Sequence, residues 1–373
     1  MDVGRITDLM QSIAPLGFAA EWDNVGLLVG GTDWPAARVM LTIDLTEPVL
    51  QEAIEAEVQM IVAYHPPLFT PLGTLTDRRA GERIVLTAAR SGIALYSPHT
   101  ALDAAPGGVN DWLAGGLGHG DVRALKSHDL LPASESHKVV TFCPIDAADA
   151  LRKAMATSGA GRVGNYELCS FEIRGQGTFR GRDGTNPAVG QAGRFETVDE
   201  VRLEMVCPES ALGLVIAALR EFHPYEEPPI EIYRLEGRAQ RHIGQGRRVM
   251  LDQAIDLPAL CQRLKRTLGV RQLRVAPAFD TPEAHQSVGI CAGAGGGLLA
   301  TAVEQGCTVY VTGEMRHHDL LNAQHLGCTV ILAGHTNTER GYLERLRERL
   351  IEGLPQESTI LVSKRDADPL VTM

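Results

Sequence analysis

RVMLTIDLT (38–46), EPVLQEAIEAE (47–57), VQMIVAY (58–64) and HPP (65–67) read in order as strand, helix, strand and stiffened turn. The first and third are the β-branched, apolar runs of buried strands. The second has helical spacing and carries Pro48 at its start, where a missing N–H costs nothing. Moving outward, GERIVLTAARSG (81–92) is helical and closes on Gly92, and IALYS (93–97) is the next strand. This alternation predicts parallel strands with helices on the faces. The C-terminal part repeats the pattern. SVGICAG (287–293) runs into a Gly-rich turn, LLATAVEQG (298–306) is a helix, and CTVYVTG (307–313), CTVILAG (328–334) and STILVS (358–363) are further strands. Helices are expected at about 316–326 and 337–352, and MDVGRITDLMQSIAP reads as an amphipathic helix ended by Pro15.

The middle of the chain differs. From about 135 to 236 short strands and turns alternate, with helices near 146–157 and 209–221, in the order β-α-β-β-α-β. That order predicts a ferredoxin-like α+β insert. GRDGTNPAVGQAG (181–193) is punctuated as an exposed loop. The expected architecture is a discontinuous outer α/β domain, residues 1–130 and 240–373, interrupted by an insert at 135–236. At 373 residues the chain exceeds what one core usually supports, in keeping with this division.

Composition narrows the class. With 44% apolar and 22% charged residues this is an ordinary globular chain. A net charge of −11 argues against a broad nucleic-acid surface, which needs clustered Lys and Arg. The seven cysteines are scattered without a CxxC pair, so a reducing compartment is expected. No signal-peptide core is present, and no apolar run approaches the roughly 20 residues of a membrane helix. A cytoplasmic location, away from membranes, is the expectation.

Residues capable of chemistry follow strand ends, where ligands collect in open α/β sheets. His65 follows VQMIVAY. His99 and Asp103 lie four apart in SPHTALD after IALYS, and His335 and Glu339 repeat that spacing in AGHTNTE after CTVILAG. Three imidazoles and two carboxylates suit Zn, Mn, Fe or Co, and a carboxylate can bridge two ions. Glu314, His317 and His318 in TGEMRHHD follow another strand. They either form a site of their own, or support the first one with Glu314 and His318 as substrate contacts or proton carriers, or line a helix start. The run GAGGG (293–297) lacks both the GxGxxG spacing and the P-loop Lys, and is either a phosphate cradle or a packing turn. HPYEEP (223–228) is either a second metal site or strand-edge structure.

EWDNVGLLVG (21–30), YHPPLF (64–69), YSPHTALDAAPGGVNDWLA (96–114), GAGGGLL (293–299), VYVTGEMRHHD (309–319) and AGHTNTERGYL (333–343) together resemble the GTP cyclohydrolase I type 2 homolog family, interacting-factor-three-like proteins with a dinuclear metal centre. GNYELCSF (164–171), GRFETVDEVRLE (193–204) and HPYEEP resemble that family's optional insert. The resemblance implies metal ligands at His65, His99, Asp103, His335 and Glu339, two similar α/β lobes around a metal cleft, and a ring-like homohexamer. Many members carry two adjacent histidines where this chain has Tyr64 and His65, so one or two ions per chain are expected. A tyrosine ligates only as phenolate, which requires its pKa to fall far below about 10. The functional expectation is a metal-dependent hydrolase acting on a nucleotide or phosphoester-type small molecule. A non-catalytic metal- or ligand-sensing scaffold, acting through protein partners, is the alternative.

Overall fold

The computed structural model describes residues 1–370. The chain forms two compact units: Met1–His128 with the chain from Gln240 onward, and Asp129–Ala239.

The larger unit is α/β and holds two mixed sheets. The first has five strands in the order Gly26–Val29, Ala94–Ser97, Met60–Ala63, Arg38–Thr42 and Thr359–Val362. The last four run parallel, and Gly26–Val29 pairs antiparallel at the edge. Met60–Ala63 and Ala94–Ser97 are buried throughout, because both sheet faces are covered. Alternate residues therefore feed two cores. Leu41, Met60, Val62 and Tyr96 pack with Ile6 and Met10 of the first helix and Leu346 and Leu350 of a late one. Met40, Ile61 and Leu95 pack with Val49 and Leu50 of helix Glu47–Glu55 and Ile84 of helix Ala80–Arg90.

The second sheet has the order Arg274–Ala276, Thr329–Leu332, Val309–Thr312, His285–Cys291, Arg238–Ile255 and Gly120–Leu130. Its central three strands are parallel, as the strand–helix alternation requires, while Arg274–Ala276 and Arg238–Ile255 pair antiparallel to them. The purely parallel reading thus holds for the sheet centres and fails towards the edges. Antiparallel neighbours need no crossover helix. Thr359–Val362, the last strand in sequence, returns to the first sheet beside Arg38–Thr42.

The smaller unit has four antiparallel strands ordered Phe171–Arg180, Phe195–Cys207, His137–Pro144 and Ile230–Arg234, with helices Ala148–Thr157 and Leu212–Phe222. Val139, Val201, Leu203 and Met205 pack against Leu151, Met155, Val215 and Leu219 of the two helices. All seven cysteines are free. Among the described residues, no helix is long and apolar enough to cross a membrane.

Candidate metal centre

His65 leaves the strand Met60–Ala63 with its N–H donating to the Ile43 carbonyl at 3.0 Å. Its Nδ1 lies 2.9 Å from Asp44 Oδ1. His335 follows the strand Thr329–Leu332, and its Nδ1 lies 3.1 Å from Glu314 Oε1. His99 opens a short helix at a φ of 25°, unusual for a residue with a Cβ. Its Nδ1 lies 2.8 Å from Asp23 Oδ1, while Asp23 Oδ2 accepts from the Thr100 amide at 3.1 Å and hydroxyl at 2.5 Å. Each of the three imidazoles thus has one nitrogen fixed by a carboxylate. Such a partner sets the tautomer and leaves Nε2 as the free donor.

Two of those Nε2 atoms converge on Glu339. His335 Nε2 is 3.5 Å from Oε1 and His65 Nε2 is 3.6 Å from Oε2. Ligand atoms of His65, His335 and Glu339 all lie within 4.8 Å of one another. Glu339 is buried, and its Oε2 has no hydrogen-bond partner. A buried carboxylate oxygen without a donor is costly. A cation between the three groups removes that cost, so the residues fit a divalent ion.

His99 and Asp103 border this cluster. The His99 ring lies edge-on to His65 with centroids 5.4 Å apart. Asp103 accepts a hydrogen bond of 2.5 Å from the Tyr64 hydroxyl. Burial pushes the Asp103 carboxyl up to about 6, against the opposing bond from Tyr64, and the charge of Glu339 adds to the rise. Burial and the negative charges of Asp103 and Glu339 hold Tyr64 well above its ordinary value. Tyr64 is therefore a neutral phenol that donates to Asp103, the opposite of what a phenolate ligand needs. Burial opposes a charge on His65, but its bond to Asp44 and the negative charges of Glu339 and Asp44 outweigh that and raise it to about 10.

The glycine-rich turn packs against this cluster. A Cβ on Gly293 would stand 2.6 Å from Glu339 Oε1 and 3.2 Å from His335 Nε2, so only glycine fits. The Gly293 and Gly295 amides donate to Thr338 and Thr312 hydroxyls. Those two donors are engaged within the turn and its neighbours, and Gly293 is required there by packing. His318 is exposed, its ring beside that of His317.

The profile of the Duf34/NIF3 (NGG1p interacting factor 3) family matches residues 1–369. The chain belongs to the NIF3 family. It is 33% identical over 369 residues to a "GTP cyclohydrolase 1 type 2 homolog" from Halalkalibacterium halodurans, covering 98% of this chain and 97% of that one. It is 36% identical over 377 residues to "NIF3-like protein 1" of Rattus norvegicus, covering 99% and 92%. A solved Bacillus cereus protein related to NIF3 superposes with a TM-score of 0.66 at 32% identity, covering 100% of this chain and 99% of that one.

In this NIF3-family chain, sequence reasoning singled out Glu314, behind His335, but overlooked Asp44 and Asp23 behind the other two histidines. Asp44 lies two residues past the strand Arg38–Thr42, a strand-end position of the same kind as His65, and that signal could have found it. Asp23 precedes an edge strand too short to mark its own end, and no periodicity points to it.

Proposed function

We propose that this protein is a divalent-metal-dependent hydrolase acting on a nucleotide or phosphoester-type small molecule. The observation that carries this reading is the buried, unpartnered Glu339 oxygen faced by two carboxylate-anchored histidines. His65, His335 and Glu339 would hold the ion, which is Zn, Mn, Fe or Co by donor type, with His99 beside them to complete the set and Asp103 available as a ligand only when released from Tyr64. A bound divalent ion supplies Lewis acidity and a water acidic enough to ionise near neutral pH.

The chain's own residues do the rest. Asp44, Asp23 and Glu314 keep the three imidazoles aimed, each holding Nδ1. Asp103, buried and with a carboxyl near 6, exchanges a proton close to neutrality beside the cluster. Glu314 is exposed as well as bonded to His335, so it and His318 carry protons between site and solvent. On this reading the two sheets of the larger unit are the two α/β lobes, with the ligands in the cleft between them. The smaller unit is a ferredoxin-like insert, since its strand order and two helices follow that plan. The name "GTP cyclohydrolase 1 type 2 homolog" carried by a relative supports a nucleotide as substrate. A cytoplasmic homohexamer is the proposed assembly.

Elemental analysis of natively purified protein tests the site, with His335→Ala and Glu339→Ala alongside. Metal should co-purify with the parent and be lost from both variants. The loaded protein should then hydrolyse one member of a nucleotide and phosphoester panel, and Asp103→Ala should abolish turnover. Metal retained without turnover of any panel member would instead leave the scaffold role acting through partners.

A further inference from the structure

We infer that the Asp129–Ala239 unit carries a binding pocket for a small organic cation with an apolar, ring-sized body, in the cavity that Glu200, Glu226 and Glu227 share with Phe142, Phe179 and Val189. The cavity measures about 460 Å³ and lies wholly within this unit. That volume is typical of small-ligand sites.

The motif HPYEEP builds one wall, and not as a metal site. His223 is buried, with Nε2 3.1 Å from the Phe142 carbonyl and Nδ1 accepting the Tyr225 amide at 3.1 Å. An imidazole that accepts at Nδ1 and donates at Nε2 is neutral and structural. It fixes the turn that presents Tyr225. The Tyr225 hydroxyl donates to Glu200 Oε1 at 2.6 Å, which aims that carboxylate and leaves it further acceptor capacity. Strand Phe171–Arg180 makes room for it. A Cβ on Gly177 would come within 2.0 Å of Glu200 Oε2, so any other residue would displace the carboxylate.

The loop at 181–193 forms the opposite wall through Thr185, Pro187, Ala188 and Val189. Glu226 Oε2 ties the two walls together by accepting from the Asn186 amide at 3.0 Å.

Chemistry then selects the ligand. Among the described residues, those lining the cavity include three glutamates and no Lys or Arg, so an anion is repelled. Arg202, over the Phe142 ring at 5.3 Å, is already committed to Glu204 and Glu231. Among the described residues, the cluster of three metal donors within 4.8 Å is His65, His335 and Glu339, so the glutamates here do not converge on one point. Dispersed carboxylates around aromatic rings suit an ammonium group on an apolar body, through charge-assisted hydrogen bonds and cation–π contact.

Calorimetric titration of phenethylamine into the full chain tests this, with phenethyl alcohol and phenylacetate as neutral and anionic counterparts. Phenethylamine should bind at one site per chain, at least about tenfold more tightly than either counterpart. Glu200→Gln should weaken it by about tenfold or more. Ala188→Trp, on the exposed loop, should fill the cavity and abolish binding without changing the melting temperature. If Glu200→Gln fails to fold, Ala188→Trp and the exposed Glu227→Gln decide the matter. Absence of binding at millimolar phenethylamine, equal binding of phenylacetate, or full affinity in Ala188→Trp would overturn the proposal. Metal content at His65, His335 and Glu339 should be the same in all these variants, so the result is independent of the hydrolase reading.

Discussion

At the scale of single residues, Tyr64 decides how many ions the site takes. Its hydroxyl occupies Asp103, and its surroundings keep it protonated. Asp103 is thereby diverted from coordination while His65, His335 and Glu339 remain free to bind. One ion per chain is expected for the parent protein, and Tyr64→His should admit a second by adding an imidazole and releasing Asp103. Metal-to-protein ratios after reconstitution check this, and a ratio of one in Tyr64→His would refute it. His65 sets the pH dependence. In the metal-free protein its pKa is raised to about 10, above the ordinary 6.5. The stability it contributes is therefore fully present below 6.5 and lost as pH rises through about 10. Metal binding must displace that proton, so affinity should rise about tenfold per pH unit over the same window. Apo stability and metal affinity should thus move in opposite directions with pH. Denaturation curves and chelator competition at several pH values measure the two, and a flat affinity would remove His65 from the ligand set.

At the scale of elements, the helix that bears His99 and Asp103 is held from below by Arg247. This fully buried guanidinium donates to the carbonyls of Ala104, Ala105, His242, Gly244 and Gly246, and pairs with Asp111. Asn110 adds a second tie, donating to the Asp103 carbonyl at 3.1 Å and accepting from the Ala292 amide at 2.9 Å. Arg247→Leu leaves Asp111 with only the Gly107 amide and removes a donor from five carbonyls, so a loss of about 3 kcal/mol is expected in urea denaturation. Metal affinity should fall with it, because the elbow after Asp103 loses its anchor.

None of this support was legible in the sequence. The central strands were, because MIVA and ALYS are unbroken apolar runs bounded by turn residues. Arg238–Ile255 reads RAQRHIGQGRRVMLDQAI, largely polar and exposed over its first half, so it carries no strand signal although it is the longest strand described. The five ligand candidates were legible because each follows an apolar strand. Their carboxylate partners come from loops and from other strands, where contact depends on the fold rather than on local pattern.

At the scale of the whole molecule, the C-terminal segment closes the metal centre from behind. After Thr359–Val362 joins the first sheet, Ser363 and the Lys364 and Arg365 amides bind Glu52 of helix Glu47–Glu55. Asp366 Oδ2 then accepts from the Ile43 amide at 2.8 Å and pairs with Arg340, while Asp368 accepts from Thr336 at 3.1 Å. Ile43 precedes Asp44, and Arg340 and Thr336 adjoin Glu339 and His335, so one short segment touches both sheets' ligand loops, the first through its backbone and the second through side chains. Asp366 is nearly inaccessible, and removing it leaves Arg340 without its counter-charge. Asp366→Ala should therefore cost about 3 kcal/mol and weaken metal binding. Arg340→Met should cost less, since the Ile43 amide still satisfies Asp366. If the ion pair is the link between segment and site, the double variant should be less unstable than the sum of the two, by at least about 1 kcal/mol. Additive losses in urea denaturation, with metal affinity unchanged in Asp366→Ala, would show that the segment seals the fold without positioning Glu339.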